Sequence, residues 1–378
     1  PDPSVGVIGE IIAGRAAGNP FFAEEITRDL AERGVLIGQR GSYACRTDIG
    51  EVGVPATLQA TIAARIDRLD PVAKHTLAAA AVIGSRFSAD LLASLGIDPS
   101  VEELITAELI DQVRFTPRPE YAFRHPLIRT VAYEAQLKSD RAELHRRVAA
   151  AIESGDPAAA EENAALIAEH LQAAGDLREA FGWHMRAATW ATNRDIAAAR
   201  QSWERARQIA DALPAEDPDR AALRIAPRTM LCGTANRVDE HANDRFEELR
   251  ELCTAAGDKA SLAIAMAGLV LDHVFHGRIR EASQLASEAM TLIESLGDPT
   301  LTVGLSFAPI YAKLESAEFC DGLRWSQRVI DLADDDCTGN AFLNPGPTRP
   351  EHSYCPSSEG IFVVHTPVRS PADPRIEA

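Results

Sequence analysis

The sequence predicts a mainly α protein, a winged-helix domain followed by a tetratricopeptide-like (TPR-like) α-solenoid, on three observations. Apolar residues recur at helical spacing along most of the chain, in runs that open on Asn, Ser or Pro and close on Gly. A set of helices followed by one short hairpin, at 113–116 and 121–123, is the order of a winged helix. Beyond residue 155 the helices are punctuated by Gly-Asp pairs. There Gly175-Asp176-Leu177-Arg178-Glu179-Ala180 is echoed by Gly277-Arg278-Ile279-Arg280-Glu281-Ala282. The copies lie 102 residues apart, three times the ~34-residue period of such repeats.

Residues 1–54 are expected to hold a helix and a hairpin. Asn19 caps the helix and Pro20 suits its first position. Glu24 and Glu25 lie in the first turns, where carboxylates favour the positive helix end. Phe22, Ile26 and Leu30 form the apolar stripe, and Gly34 ends it. Short strands at 35–37 and 43–46 flank the turn at 38–42.

Residues 55–154 form the winged-helix domain. Pro55 opens a helix with Leu58, Ile62 and Ile66 on one face, and Pro71 opens a second that Gly84 ends. Ser88 caps a third over 89–95, and a fourth runs from 99 to 110. The hairpin turns at 117–120, and helices at 126–137 and 139–152 follow. Residues 155–335 are TPR-like repeats, broken at Gly155-Asp156, Gly175-Asp176, Gly257-Asp258 and Gly297-Asp298. Each helix pair buries little alone, so neighbours must stack. Residues 336–378 carry seven prolines and no helical period, and read as an irregular tail, loosely packed or disordered.

The totals narrow the function. Aromatic residues are only 6%, so the core is built of Ala, Leu, Ile and Val. A net charge of -18 opposes phosphate contacts with nucleic acid or anionic lipid. The sequence has no run of eighteen apolar residues that would span a membrane and no basic-apolar export leader. Six Cys without a Cys-x-x-Cys pair read as free thiols in a reducing cytoplasm.

Several blocks carry a resemblance. They are Gly18-Asn19-Pro20-Phe21-Phe22-Ala23-Glu24-Glu25, Val54-Pro55-Ala56-Thr57-Leu58, Ile62-Ala63-Ala64-Arg65-Ile66-Asp67-Arg68-Leu69, Phe123-Arg124-His125-Pro126-Leu127-Ile128 and Leu144-His145-Arg146-Arg147-Val148-Ala149. In this order they resemble STAND-type signalling ATPases of actinobacteria, in which an ATPase core leads into a winged helix and a TPR-like array. Some carry an N-terminal adenylate/guanylate cyclase domain, and others a LuxR-type DNA-binding domain of a transcriptional regulator. The resemblance implies that 1–54 is the lid remnant of the ATPase module. It also implies that Gly18, Asn19 and Pro20 lie near the adenine and report nucleotide state. The same residues also fit an ordinary cap-plus-Pro helix start.

The phosphate loop of that family is missing. Gly-x-x-x-x-Gly-Lys-Ser/Thr needs a Lys after Gly, and none of Lys74, Lys138, Lys259 and Lys313 follows one. The chain opens on Pro1, so the phosphate-gripping half is expected upstream. No catalytic residue and no cofactor is assigned to this chain; ATP and Mg would be held only with that upstream domain. The paired metal-binding Asp residues of a class III cyclase are absent too.

Other motifs read more plainly. The helix assigned to DNA, 88–95, has no Lys or Arg, so the winged helix is expected to bridge ATPase and repeats rather than bind nucleic acid. Arg141, His145, Arg146 and Arg147 read as a solvated face. Asp272, His273 and His276 lack further metal ligands, so no metal is assigned. Trp183, Trp190, Trp203 and Trp325 are expected to fill helix interfaces, with a peptide groove as the alternative. The expected function is regulatory: the repeats sense a protein partner or ligand and pass that contact to the upstream ATPase domain. The alternatives are a fragment of a cyclase or LuxR-type regulator, and a stand-alone TPR scaffold.

Overall fold

The computed structural model describes residues 5–39, 42–45, 57–116, 118–237 and 242–333, and the protein is mainly helical. Pro55, Arg46, the turn residue Pro117 and the tail 336–378 lie outside the described residues. The chain divides into two compact units: one reaches Leu231 and includes 247–257, and the other comprises 232–246 and the chain from Asp258 onward.

The first unit opens with α1 (Gly6–Ala16), which sequence reasoning missed because its glycines and mixed apolar pattern mark no face. Ala17 (φ 45°) and Gly18 (φ 84°) turn the chain through left-handed conformations into α2 (Pro20–Glu32). The hairpin follows as β1 (Leu36–Gln39) and β2 (Ser42–Cys45), with Leu36 opposite Cys45. Ile8, Ile26, Leu30 and Leu36 share one small core.

Next come α3 (Leu58–Asp67), α4 (Pro71–Ile83), β3 (Arg86–Ser88), α5 (Ala89–Ser94), α6 (Val101–Thr106), β4 (Ile110–Arg114), β5 (Glu120–Phe123), α7 (Pro126–Glu134) and α8 (Lys138–Glu153). Thr57, Asp70 and Ser88 each accept a backbone N–H of the helix they open, at 3.2, 2.8 and 3.1 Å. Such caps contribute about 1 kcal/mol each. The hairpin is part of a three-stranded antiparallel sheet in the order β3-β5-β4. Strand β3 was not foreseen, because three residues carry no period-2 signal; Phe87 opposite Tyr121 anchors it. The helix expected to run to 110 stops at Thr106, where Glu108 turns left-handed (φ 52°) and Ile110 enters the sheet. Helix α6, immediately before the hairpin, carries Glu102 and Glu103 in its first turn. Ile62, Leu77, Leu92, Leu104, Ile110 and Ile128 close one core beneath the sheet.

The remaining helices are α9 (Pro157–Glu162), α10 (Ala164–Ala174), α11 (Leu177–Ala191), α12 (Ile196–Ala212), α13 (Arg220–Gly233), α14 (Ala242–Ala256), α15 (Lys259–Phe275), α16 (Ile279–Leu296), α17 (Pro299–Leu305), α18 (Phe307–Glu315) and α19 (Phe319–Ala333). In the first unit α8, α10, α11 and α12 pack in succession; in the second α15, α16, α18 and α19 do so. Two of the four Gly-Asp pairs act in two steps. At Gly257 and Gly297 the glycine adopts a left-handed stop, and Asp258 and Asp298 then cap the next helix. The two echoed segments open α11 and α16, each placing a fully buried Ala, Ala180 and Ala282, at the same helical position.

Gly268 marks the tightest approach in the second unit. A Cβ there would lie 2.5 Å from both the Cys232 carbonyl oxygen and the Gly233 Cα. Both contacts are backbone, so neither can rotate away. Gly268→Val is expected to destabilise the protein by about 3 kcal/mol or more. Urea unfolding of the variant measures this, and an unchanged midpoint would contradict the close approach.

Candidate functional site

The Gly18-Asn19-Pro20 turn is exposed and uses its polar groups on itself. The Asn19 side chain accepts the Phe22 N–H at 3.2 Å, and its own N–H donates to the Ala16 carbonyl at 2.8 Å. Pro20 has no N–H to offer. These residues set the angle between α1 and α2.

What the turn positions is more informative. Phe21 lies flat on His125, with ring centroids 3.9 Å apart. His125 in turn caps α7, its Nδ1 accepting the Leu127 N–H at 3.1 Å. Two blocks about a hundred residues apart in the chain therefore meet ring to ring.

Beneath that stack lies an ion-pair junction. Glu25, Asp29 and Glu32 sit at i, i+4 and i+7 on α2 and meet Arg65 and Arg68 at i, i+3 on α3. Glu25 is fully buried and pairs with Arg65, itself 3% exposed, and with Arg28 at 2.6 Å. Glu25 was expected in the first turns, where a carboxylate favours the positive helix end. The first turn of α2 carries no carboxylate, and Glu25 is held in a buried ion pair instead. A stripe of carboxylates on one helix needs a stripe of guanidiniums on another, and that partner is forty residues away. Arg68 reaches Asp29 and Glu32 at 2.8 Å each. Burial works against its charge, but those two carboxylates outweigh it and hold the guanidinium above its usual value. Arg65 also donates to the Ala107 carbonyl, and Glu108 joins Arg28 to Arg124. The junction thus ties α2 to α3, to the left-handed turn after α6 and to the end of β5. Its groups are mutually neutralised, so it can hold or release two elements but offers no nucleophile and no free base.

A second polar cluster lies where α7 and α8 meet α10. The Tyr133 hydroxyl is 2.9 Å from His145 Nε2, and His145 Nδ1 is 2.8 Å from His170 Nδ1. The solvated face expected at 141–147 holds for Arg146 and Arg147, which are exposed, with Arg146 paired to Asp176 at 2.7 Å. It is corrected at His145, which is buried; Arg141 is half-buried over Tyr133. Helix α8 is covered on two sides, so only part of that run reaches water. Burial, then the Arg129 and Arg141 charges, lower His145 to about 4. Burial, then His145 and Arg129, lower His170 to about 4.

Asp272 is taken up by Arg278 at 2.5 Å and His276 at 3.3 Å. Among the described residues no group of three or more His, Cys, Asp or Glu is placed to hold a metal. Trp183, Trp203 and Trp325 are buried in helix interfaces, and Trp190 is half-buried beneath Arg194.

No family model matches the chain. A protein of Rhizobium meliloti (strain 1021), described as uncharacterized, is 26% identical over 248 residues, covering 63% of this chain and 24% of that protein. The chain therefore spans about a quarter of the length of that relative. Among solved structures it is similar to a Signal Transduction ATPase with Numerous Domains (STAND) protein with a tetratricopeptide repeat sensor from Pyrococcus horikoshii. The TM-score is 0.34 and the identity 11%, over 89% of this chain and 54% of that one.

Proposed function

We propose that the chain is a regulatory module of a STAND-type signalling ATPase, in which TPR-like helices receive a protein partner and the 57–152 domain passes that contact to a nucleotide-dependent switch. The chain itself performs no catalysis in this reading. ATP and Mg are held only together with an upstream phosphate-binding domain, and Gly18, Asn19 and Pro20 stand on its adenine side.

The observation that carries the proposal is the convergence of the quoted blocks. The Gly-Asn-Pro-Phe-Phe helix, the Arg65–Arg68 helix and the Arg124-His125 segment meet in the Phe21–His125 stack and the Glu25–Arg65 junction. A nucleotide that moves the turn would move α2, and α2 cannot move without loading α3 and the β5–α7 corner. The order helix, strand, helix, helix, strand, strand over α4 to β5, with the first strand beside the third, supports the winged-helix reading of that domain. The acidic first turn of α6 argues for packing rather than DNA.

A fluorescent ATP analogue titrated into the chain is expected to show no binding tighter than about 1 mM, or ~4 kcal/mol. Saturable micromolar binding would contradict the division of labour. When joined to its phosphate-binding half, the protein should show hydrogen exchange in α2, α3 and α7 that changes together with nucleotide state. Exchange indifferent to nucleotide at all three would sink the coupling.

A further inference from the structure

We propose that the His145–His170 pair is an acid-operated latch between α8 and α10: it holds the two helices together while both rings are neutral, and releases them when the rings are protonated. The latch works without nucleotide or partner protein, so it goes beyond the function proposed above and stands apart from it.

Helix α8 belongs to two cores. Leu144 and Val148 lie in the core beneath the sheet, whereas Ala149 lies in a second core with Ala164, Ile167 and Ala168 of α10. The α8–α10 seam therefore joins the helices up to α8 to those that follow. All of its named apolar side chains but Ile167 are single methyl groups, so packing alone grips it weakly. On the polar side, His145 and His170 are 6% and 4% exposed, with their Nδ1 atoms 2.8 Å apart. Arg146 and Asp176 pair beside the seam, but at the surface, where such a pair holds little.

A hydrogen bond between two ring nitrogens has one Nδ1 donating and the other accepting, so the neutral pair is complementary. His145 Nε2 meets the Tyr133 hydroxyl at 2.9 Å, which donates or accepts as required. His170 Nε2 is buried and has no partner among the described residues. A first added proton settles either there, as a buried N–H with no acceptor, or on His145 Nε2, with the hydroxyl turned to accept. A second sets N–H against N–H at Nδ1 and breaks the bond.

No described carboxylate answers the added charge. The pair faces Tyr133 and the Arg129 guanidinium from α7, and Arg141 from α8 itself. Helices α4, α5, α9 and α11, which pack on α8 or α10, bring no charge that acts on either ring. An imidazolium would therefore stand against guanidiniums alone in a buried place. Burial first, and then neighbouring charge, holds both rings at about 4. Once the seam opens and water reaches them, they return toward 6.5. The open form thus takes up protons first. Closure is complete above pH 6.5 and is lost as pH falls toward 4.

Hydrogen exchange of the full chain, read by mass spectrometry at pH 7 and pH 4.5 and corrected for the intrinsic rate, tests the latch. Protection in α8 and α10 should fall roughly tenfold or more at the lower pH, while α4 and α15 keep theirs. In His145→Gln/His170→Gln neither side chain takes a proton, and the fall should disappear. If that variant does not fold at pH 7, judged by its far-ultraviolet dichroism spectrum, His170→Gln alone should shrink the fall. His184→Gln, which removes another buried histidine on α11, should leave it in place. Unchanged protection in α8 and α10 at pH 4.5 overturns the latch. So does a loss shared equally by α4 and α15, or a fall that the pair variants retain in full.

Discussion

Arg65→Ala is expected to cost 3–5 kcal/mol of stability, on the order of magnitude seen when one partner of a buried ion pair is removed. Glu25 would remain fully buried, with Arg28 as its nearest remaining cation. The Ala107 carbonyl would lose its donor as well. Glu25→Ala should cost about as much, because it strands a guanidinium that is only 3% exposed. The double variant Glu25→Leu/Arg65→Met separates charge from packing. It removes both charges while keeping volume, and should recover most of the loss, since a buried pair and an apolar pair are often close in net stability. The coupling energy itself follows from urea unfolding of the parent, the two single Ala variants and the Glu25→Ala/Arg65→Ala double variant. If each single variant unfolds within about 0.5 kcal/mol of the parent, the junction does not hold α2 to α3.

Acid should unfold the protein earlier than its carboxylates alone would. His145, His170 and His184 are each lowered from 6.5 to about 4, with burial the first cause in every case. A histidine whose folded value is depressed binds its proton in the unfolded chain first. Its stabilising contribution is therefore complete above pH 6.5 and is lost as pH falls toward 4. Each shift corresponds to on the order of 1–3 kcal/mol. The first two share one hydrogen bond, so their sum is smaller than two independent groups would give. Burial disfavours the charged imidazolium at both rings, and the nearby Arg129 charge adds to it. Urea midpoints measured between pH 7 and pH 4.5 should fall steadily, and His170→Gln should flatten the slope. A midpoint independent of pH across that window rules the mechanism out. Asp211 and Glu318 also depend on pH, but their folded values lie below the ordinary carboxylate range. Their losses therefore fall mostly below pH 4.5.

These two sites bear on what can be read from a sequence. Asn19 and Ser88 were legible as caps because a cap bonds to a backbone N–H a few residues away. The Gly-Asp pairs were legible for the same reason. Tryptophan burial followed from size and apolarity. The Glu25–Arg65 pair, by contrast, was not legible: Glu25 looked like a helix-end carboxylate, and nothing near Arg65 pointed to it. The signal that would have found it is the i, i+4, i+7 carboxylate stripe on one helix matched by an i, i+3 arginine pair on another. Phe21 and His125 gave no hint of each other, and His145 looked solvated because its neighbours Arg146 and Arg147 are charged.

The sequence by itself determined the helical class and several helix starts, such as those at Pro20, Pro71 and Ala89, because those depend on spacing and capping within a few residues. Tertiary structure decided the rest. It joined β3 to β5, ended α6 before a left-handed Glu108 and buried Glu25 against Arg65. Each of these depends on a partner that arrives from far along the chain, and local propensity holds no record of distant neighbours.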